Sequence, residues 1–276
     1  MSGSVRELPR RAQHRVRERS PATAARLTWA VRRRSEPALA LVDAFARPGS
    51  TVLDLGANWG LFADRMSRLA GPGGSVHAFE PNPVHAATLA ALERRYAQLN
   101  VHRVALGEAP GEARLQVPVH DGRALSALGR VATGDPQGAP QDGHQEVPVP
   151  LSTLADTVAA DADVSVVKCD VEGFELPALR GGEALLRASL PVLLVEIEER
   201  HSAAGVQPTL EWLTGLGYHG WCVRAGRIAP LDEFDLERDQ RAFLGGEFHA
   251  FAMPDDYVND FVFTAPGVDP ARSLLG

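Results

Sequence analysis

Five carboxylates stand near the ends of short apolar runs: Asp54, Glu80, Asp170, Glu172 and Glu196. His201 follows the last of them by five positions. Asp54 opens the segment Asp54-Leu55-Gly56-Ala57-Asn58-Trp59-Gly60. An apolar strand followed by glycine can turn tightly and bring backbone close to a ligand. The amino end of the next helix presents N–H groups that favour a carboxylate or phosphate. The spacing is D-x-G-x-x-x-G, with Asn58 where a dinucleotide site would carry its second glycine. That glycine lets backbone approach a pyrophosphate, so the pattern disfavours a nicotinamide cofactor. Glu80 ends the next run, Val76-His77-Ala78-Phe79-Glu80-Pro81-Asn82-Pro83. A carboxylate there can accept both hydroxyls of a ribose. Charged hydrogen bonds of that kind contribute about 1.5–3 kcal/mol each. The plain alternatives are a strand–turn–helix junction at 54–60 and a solvated acid at Glu80.

A second block narrows the chemistry. Val166-Val167-Lys168-Cys169-Asp170-Val171-Glu172-Gly173-Phe174-Glu175, followed by Leu179-Arg180-Gly181-Gly182, resembles the IKIDVEGFE…LRGG pattern of the FkbM family of S-adenosylmethionine-dependent methyltransferases. DLGANWG at 54–60, FEPNP at 79–83, VALGEAPGEARL at 104–115, VPLSTLAD at 149–156 and VEIE at 195–198 extend the resemblance over residues 50–253. Ala155 separates Leu154 from Asp156 where the family often has LD. The resemblance implies a Rossmann-like class I methyltransferase fold: a mostly parallel seven-strand sheet with helices on both faces. It implies S-adenosylmethionine as donor and a hydroxyl of a natural product or sugar as acceptor. It puts Asp54, Gly56, Ala57, Asn58, Gly60, Glu80, Pro81, Asn82, Ala105, Leu106 and Asp170 on the cofactor.

Methyl transfer to oxygen needs the acceptor aligned with the sulfonium methyl and its proton removed. Asp170 is the first candidate base, with Glu172, Glu196 and His201 as further catalytic candidates. Asp170 could instead cap the helix after it, Glu172 could simply hold the turn, and His201 could be an ordinary loop histidine. Two carboxylates with His201 could hold a divalent metal, but no compact ligand motif supports one. Three other functions compete: a catalytically inert cofactor-binding module, an NAD-dependent oxidoreductase and, on the basic arm alone, a nucleic-acid methyltransferase.

These residues need elements to position them. Thr51–Leu55, Ser75–Phe79, Val101–Val104, Val164–Cys169 and Val192–Ile197 read as buried strands, and Tyr218–Arg224 and Phe248–Met253 as a closing pair. Helix spacing links them through Phe62, Met66 and Leu69, and through Val84, Ala87, Ala91, Leu92 and Tyr96. Leu176, Leu179, Leu185 and Leu186 mark a third helical stretch, interrupted at Gly181-Gly182. Alternating strands and helices of this kind build a parallel sheet covered on both faces. Residues 109–150 break the rhythm. Ala113–Val119 alternates like a strand, Thr133–His144 reads as a loop or lid, and Gln145–Pro150 returns as the partner.

The expected organisation is a basic, helical N-terminal extension over 1–47, a methyltransferase domain over 48–264 with an insert or lid at 109–150, and a tail over 265–276. The 276 residues are 45% hydrophobic and 23% charged, ordinary for a globular protein. Residues 1–34 hold ten arginines against Glu7 and Glu18, a charge of +8, which leaves −15 on the rest. A basic arm can touch nucleic acid or an anionic surface, but the acidic body and the absence of aromatic interleaving favour a small-molecule partner. No apolar run has the length of a membrane span. Cys169 and Cys222 form no C-x-x-C pair, and no secretory signal is seen. A cytoplasmic setting fits. Lys168 is the only lysine in the chain, a bias the composition alone would attribute to a GC-rich genome.

Overall fold

The computed structural model describes residues 20–33, 36–120, 123–124, 130–132, 144–202, 205–244, 254 and 256–273. Two helices, α1 (Pro21–Arg32) and α2 (Pro37–Phe45), come first. Each starts at a proline, whose fixed φ suits a first helical turn. The central units follow in βα order: β1 (Thr51–Leu55), α3 (Leu61–Ala70), β2 (Ser75–Phe79), α4 (Ala86–Glu93) and β3 (Leu99–His102). A second group of strands comprises β4 (Ala105–Leu106), β5 (Gly111–His120), β6 (Arg123–Ala124), β7 (Arg130–Ala132) and β8 (His144–Ser152). The chain then makes α5 (Leu154–Thr157), β9 (Val164–Cys169), α6 (Glu175–Arg180), α7 (Glu183–Ser189), β10 (Val192–Glu196), α8 (Gln207–Gly215), β11 (His219–Arg224) and β12 (Arg227–Pro230). It ends with α9 (Leu236–Asp239), β13 (Asp260–Thr264) and α10 (Pro270–Ser273).

The main sheet runs β12-β11-β13-β10-β9-β1-β2-β3. Strands β3, β2, β1, β9 and β10 are parallel, and β13 enters reversed between β10 and β11. All six residues of β9 are buried. Strands covered on both faces are mostly apolar, with Ser165 and Lys168 the exceptions in β9, and each fully buried Val or Leu contributes about 1.5–3 kcal/mol. One core, under Leu53, Leu55, Val167 and Phe261, receives α6, α7 and α8. The other, under Val52, Val76 and Val166, receives α1, α2, α3 and α4. The chain moves outward from β1 to β3, then returns to β9 on the other side of β1. That reversal opens a crevice at the carboxyl ends of β1 and β9, where open α/β sheets bind ligands.

Among the described residues the main sheet has eight strands, where the sequence led to seven. Two of the eight, β12 and β13, were not expected. A two-residue turn at Ala225-Gly226, with φ of 46° and 73°, folds β12 back on β11 with Arg224 opposite Arg227. Positive φ at both central residues is the hairpin turn that matches strand twist. β3 begins two residues earlier than expected, because its pairing runs from Val76↔Leu99 to Phe79↔His102. On α4 the buried residues are Thr88, Leu89 and Leu92, while Val84 is exposed. A 3₁₀ turn at Pro83–His85 takes Val84 out of the helical register. The strand expected at Phe248–Met253 and most of the loop expected at Thr133–His144 lie outside the described residues.

The stretch after β3 forms its own sheet, β4-β8-β5-β6, with β7 also on β5. β5 and β8 pair antiparallel from Gly111↔Leu151 to Pro118↔His144. Ala113, Leu115, Val117 and Val149 give that sheet one apolar face. At the other end of the molecule α1 packs on α3 and α4. Trp29 is buried there, edge-on to Phe62 at 5.4 Å between ring centroids.

Candidate functional site

A cleft of about 610 Å³, counted to its open mouth, lies over the carboxyl ends of β1, β2 and β9. Gly56, Asn58, Glu80, Pro81, Asn82, Ala105, Leu106, Asp170 and Glu172 line it. Eight of these were expected on a cofactor, and Glu172 was expected in catalysis. Phe79, Val104, Leu115, Val171 and Phe174 supply the apolar wall. Leu115 reaches the cleft from β5, so the second sheet helps to build the site. Ala57 is buried behind the turn, and Gly60 serves as N-cap of α3; neither lines the cleft.

The turn after β1 is set by close approach. Gly56 has φ of 80°, and a Cβ there would lie 1.8 Å from the carbonyl oxygen of Asp170. Only glycine lets β1 and β9 end so close together. The N–H groups of Gly56 and Ala57 both go to the carbonyl of Phe79 at 2.9 Å. The N–H of Trp59 goes to Oδ1 of Asn58 at 2.8 Å, and that of Gly60 to the carbonyl of Ala57 at 2.8 Å. The turn therefore spends these donors internally, and the anion cradle that the sequence suggested is not built from residues 56–60.

The N–H of Asn58 serves Glu80 instead. It donates to Oε2 at 2.7 Å, and the N–H of Asn82 donates to Oε1 at 2.8 Å. Glu80 is 9% exposed. Burial pushes its carboxyl up to about 7, although both N–H groups and Lys168 pull the other way. Asp54, on β1, is fully buried, and neither oxygen meets a hydrogen bond of ordinary geometry among the described residues. Burial raises it to about 6, against the pull of Lys168. A buried carboxylate is costly without compensation, and for Asp54 the compensation is the ammonium of Lys168, 3.8 Å from Oδ1.

Lys168 is the charge at the centre of the site, and the sequence reading gave it no role. It is 8% exposed. Its Nζ donates to the carbonyl of Gly56 at 2.7 Å and lies 3.3 Å from Oδ2 of Asp170 and 3.8 Å from Oδ1 of Asp54. Burial works against its charge, yet Asp170, Asp54 and Glu196 hold it above the ordinary lysine value. One signal was available: a lone lysine in a chain that otherwise uses arginine sits two residues before Asp170, at strand spacing. The β1–β9 register, which only the structure shows, sets it opposite Asp54.

The catalytic candidates separate into groups. Asp170 lines the cleft, with its side chain 32% exposed. Glu172 also lines it, at φ of 54°, and its Oε2 lies 2.9 Å from Nδ1 of His201. A carboxylate on Nδ1 favours the tautomer that keeps the lone pair on Nε2. Gly173 makes this contact possible: its φ is 95°, and a Cβ would lie 2.2 Å from the carbonyl oxygen of His201. Glu196 stands apart from the cleft lining. Its Oε1 accepts from Asn259 at 2.8 Å, and it pairs across the sheet with Asp260. Burial, then Asp170, Asp260 and Glu198, raise it well above the usual carboxylate range. Among the described residues no three His, Cys, Asp or Glu side chains converge as a metal site.

The strand order, the reversed strand β13 and the cleft at the β1–β9 switch define a Rossmann-like fold of the class I methyltransferase type. Residues 43–219 match the family described as the methyltransferase FkbM domain. The chain belongs to that family. It is 29% identical over 228 residues to the 31-O-demethyl-FK506 methyltransferase FkbM of Streptomyces tacrolimicus, which covers 75% of this chain and 81% of that protein. Among solved structures it is similar to methyltransferase FkbM from Methylobacillus flagellatus KT, at 16% identity and a TM-score of 0.47. That match covers 87% of this chain and 53% of the other, so the chain spans about half of that protein's length. It is also similar to Aeropyrum pernix fibrillarin with bound S-adenosyl-L-methionine, at 14% identity and a TM-score of 0.41, over 80% and 68% of the two chains. Among the described residues no helix is long and apolar enough to cross a membrane.

Proposed function

We propose that the protein is an S-adenosylmethionine-dependent O-methyltransferase acting on a hydroxyl of a small natural product or sugar in the cytoplasm. The observation that carries this reading is Glu80. It is a buried carboxylate, pinned by two backbone N–H groups at the floor of a cleft beside the Gly56 turn. Each pinned oxygen keeps a second acceptor position, which suits the vicinal hydroxyls of a ribose. The apolar wall of Phe79, Leu106 and Leu115 suits a base. Asp54 stands behind the Gly56 turn, ion-paired with Lys168, and acts on the ligand through that turn. When bound, S-adenosylmethionine supplies a methyl on a sulfonium, whose carbon–sulfur bond breaks as the oxygen–carbon bond forms. Asp170 stands where the acceptor enters and takes the hydroxyl proton or orients the hydroxyl. The Glu172–His201 pair is the second group able to receive that proton. No metal is needed for either role.

The Streptomyces relative is named a 31-O-demethyl-FK506 methyltransferase, which supports an oxygen acceptor here. The test incubates the protein with methyl-labelled S-adenosylmethionine and a panel of hydroxylated macrolides and sugars. A labelled O-methyl product is expected, with Asp170→Asn reducing its formation by about 10²–10⁴-fold. Label found only on nitrogen or carbon, or no transfer to any panel member, contradicts the proposal.

A further inference from the structure

We propose that Lys168 is a positioning residue that couples the cofactor turn to Asp170. One buried ammonium holds the Gly56 carbonyl and the Asp170 carboxylate at a common point, so the two halves of the site are set together. This inference rests on the function proposed above. Its basis is the shape of the contact. Nζ reaches the last residues of β1 through Gly56 and, more distantly, Leu55, at 2.7 and 3.4 Å, and reaches Asp170 just past the end of β9 at 3.3 Å. The backbones of Gly56 and Asp170 are also in close contact at the switch point, where a Cβ on Gly56 would lie 1.8 Å from the Asp170 carbonyl oxygen. A shift of either strand end therefore moves the ammonium, and with it the carboxylate.

The environment explains how a lysine stays charged at this depth. Carboxylates face it from four directions: Asp54 on β1, Asp170 after β9, Glu196 on β10 and, further off, Glu80 after β2; Asp260 on β13 also feels it. On its apolar side the ammonium lies 5.4 Å from the ring centroid of Phe62, and Trp29 of α1 covers that ring edge-on. An aromatic face is a favourable neighbour for a desolvated cation. The N-terminal helix thus forms the outer layer of the lysine's surroundings.

Because Lys168 is the only lysine, a chain labelled with [ε-¹³C,ε-¹⁵N]lysine carries one side-chain signal. S-adenosylhomocysteine is the probe. Titrating it into the labelled wild-type protein is expected to shift that signal, with the same dissociation constant that calorimetry reads. Calorimetry on variants then tests the coupling. Lys168→Met is expected to weaken binding by about 10-fold and Asp170→Asn by about 3-fold. The double variant should stay near 10-fold rather than about 30-fold, as for residues acting through one contact. S-adenosylhomocysteine binding with an unmoved lysine signal overturns the proposal, as do multiplicative losses or a Lys168→Met variant that binds like wild type. If Lys168→Met does not fold, because it strands buried carboxylates, the labelled wild type and labelled Asp170→Asn decide: coupling requires a smaller shift in the variant. A wild-type protein that binds no S-adenosylhomocysteine fails at the function reading, a distinct result from binding without a lysine response.

Discussion

Glu80 carries the clearest consequence at the scale of single residues. Its carboxyl is pushed up to about 7 by burial. In the proposed binding mode ribose hydroxyls donate to the anion, so binding selects the ionised form. S-adenosylhomocysteine affinity should therefore rise from pH 6 to 8 and level off above, read by calorimetry across that range. Glu80→Gln should bind about 10-fold more weakly or worse and lose the pH dependence. A flat wild-type profile contradicts the assignment. The stability of the unliganded protein has the opposite sign. An acid whose folded value is raised contributes fully below its unfolded value and loses that contribution as pH rises through the folded one. Asp54, raised to about 6, and Glu175, raised to about 7, add to Glu80 in this sense. The residues that read clearly in the sequence were those with a chemical motif: Gly56, Glu80, Asp170 and the Glu172-Gly173 turn. Lys168 did not, because its meaning depends on Asp54 lying beside it on a strand more than a hundred residues away.

At the scale of elements, legibility followed burial. β1, β2 and β9 ended where their apolar runs end, since they are covered on both faces. β13 was not found, because Asp260–Thr264 is a short run whose place between β10 and β11 is fixed only by distant partners. The composition of residues 1–34 suggested a partly helical basic extension, solvated or folded against the acidic body, without saying which residue would anchor it. In α1 that residue is Trp29, buried against Phe62, with Arg65 over its ring. Its Nε1 points to Asp43, which also accepts from Arg65. Removing a buried tryptophan side chain costs about 3–5 kcal/mol. Trp29→Ala should lower the melting midpoint by roughly 10 °C, measured by calorimetric scanning. An unchanged midpoint would mean that α1 adds nothing to the core.

For the whole molecule, function comes from the place where the connections leave two neighbouring strands in opposite directions. β1 and β9 stay paired to their ends, the Gly56 turn and Asp170 meet there, and the second sheet brings Leu115 over the crevice. The sequence foretold that crevice through its motifs and its alternation of strands and helices. It did not foretell how the insert would wall the cleft, since that wall arises from long-range pairing between β5 and β8. The cleft's selectivity is the central claim, and a nicotinamide dinucleotide is the sharpest competitor, because a carboxylate at the position of Glu80 would serve either ribose. What separates them is Asn58 in place of the second glycine of a dinucleotide turn, with its N–H committed to Glu80. The most direct measurement is calorimetric titration of the wild-type protein with S-adenosylhomocysteine and, separately, with NAD. The structure predicts saturable binding of S-adenosylhomocysteine at one site per chain and no measurable heat from NAD. Saturable binding of NAD without binding of S-adenosylhomocysteine would contradict it.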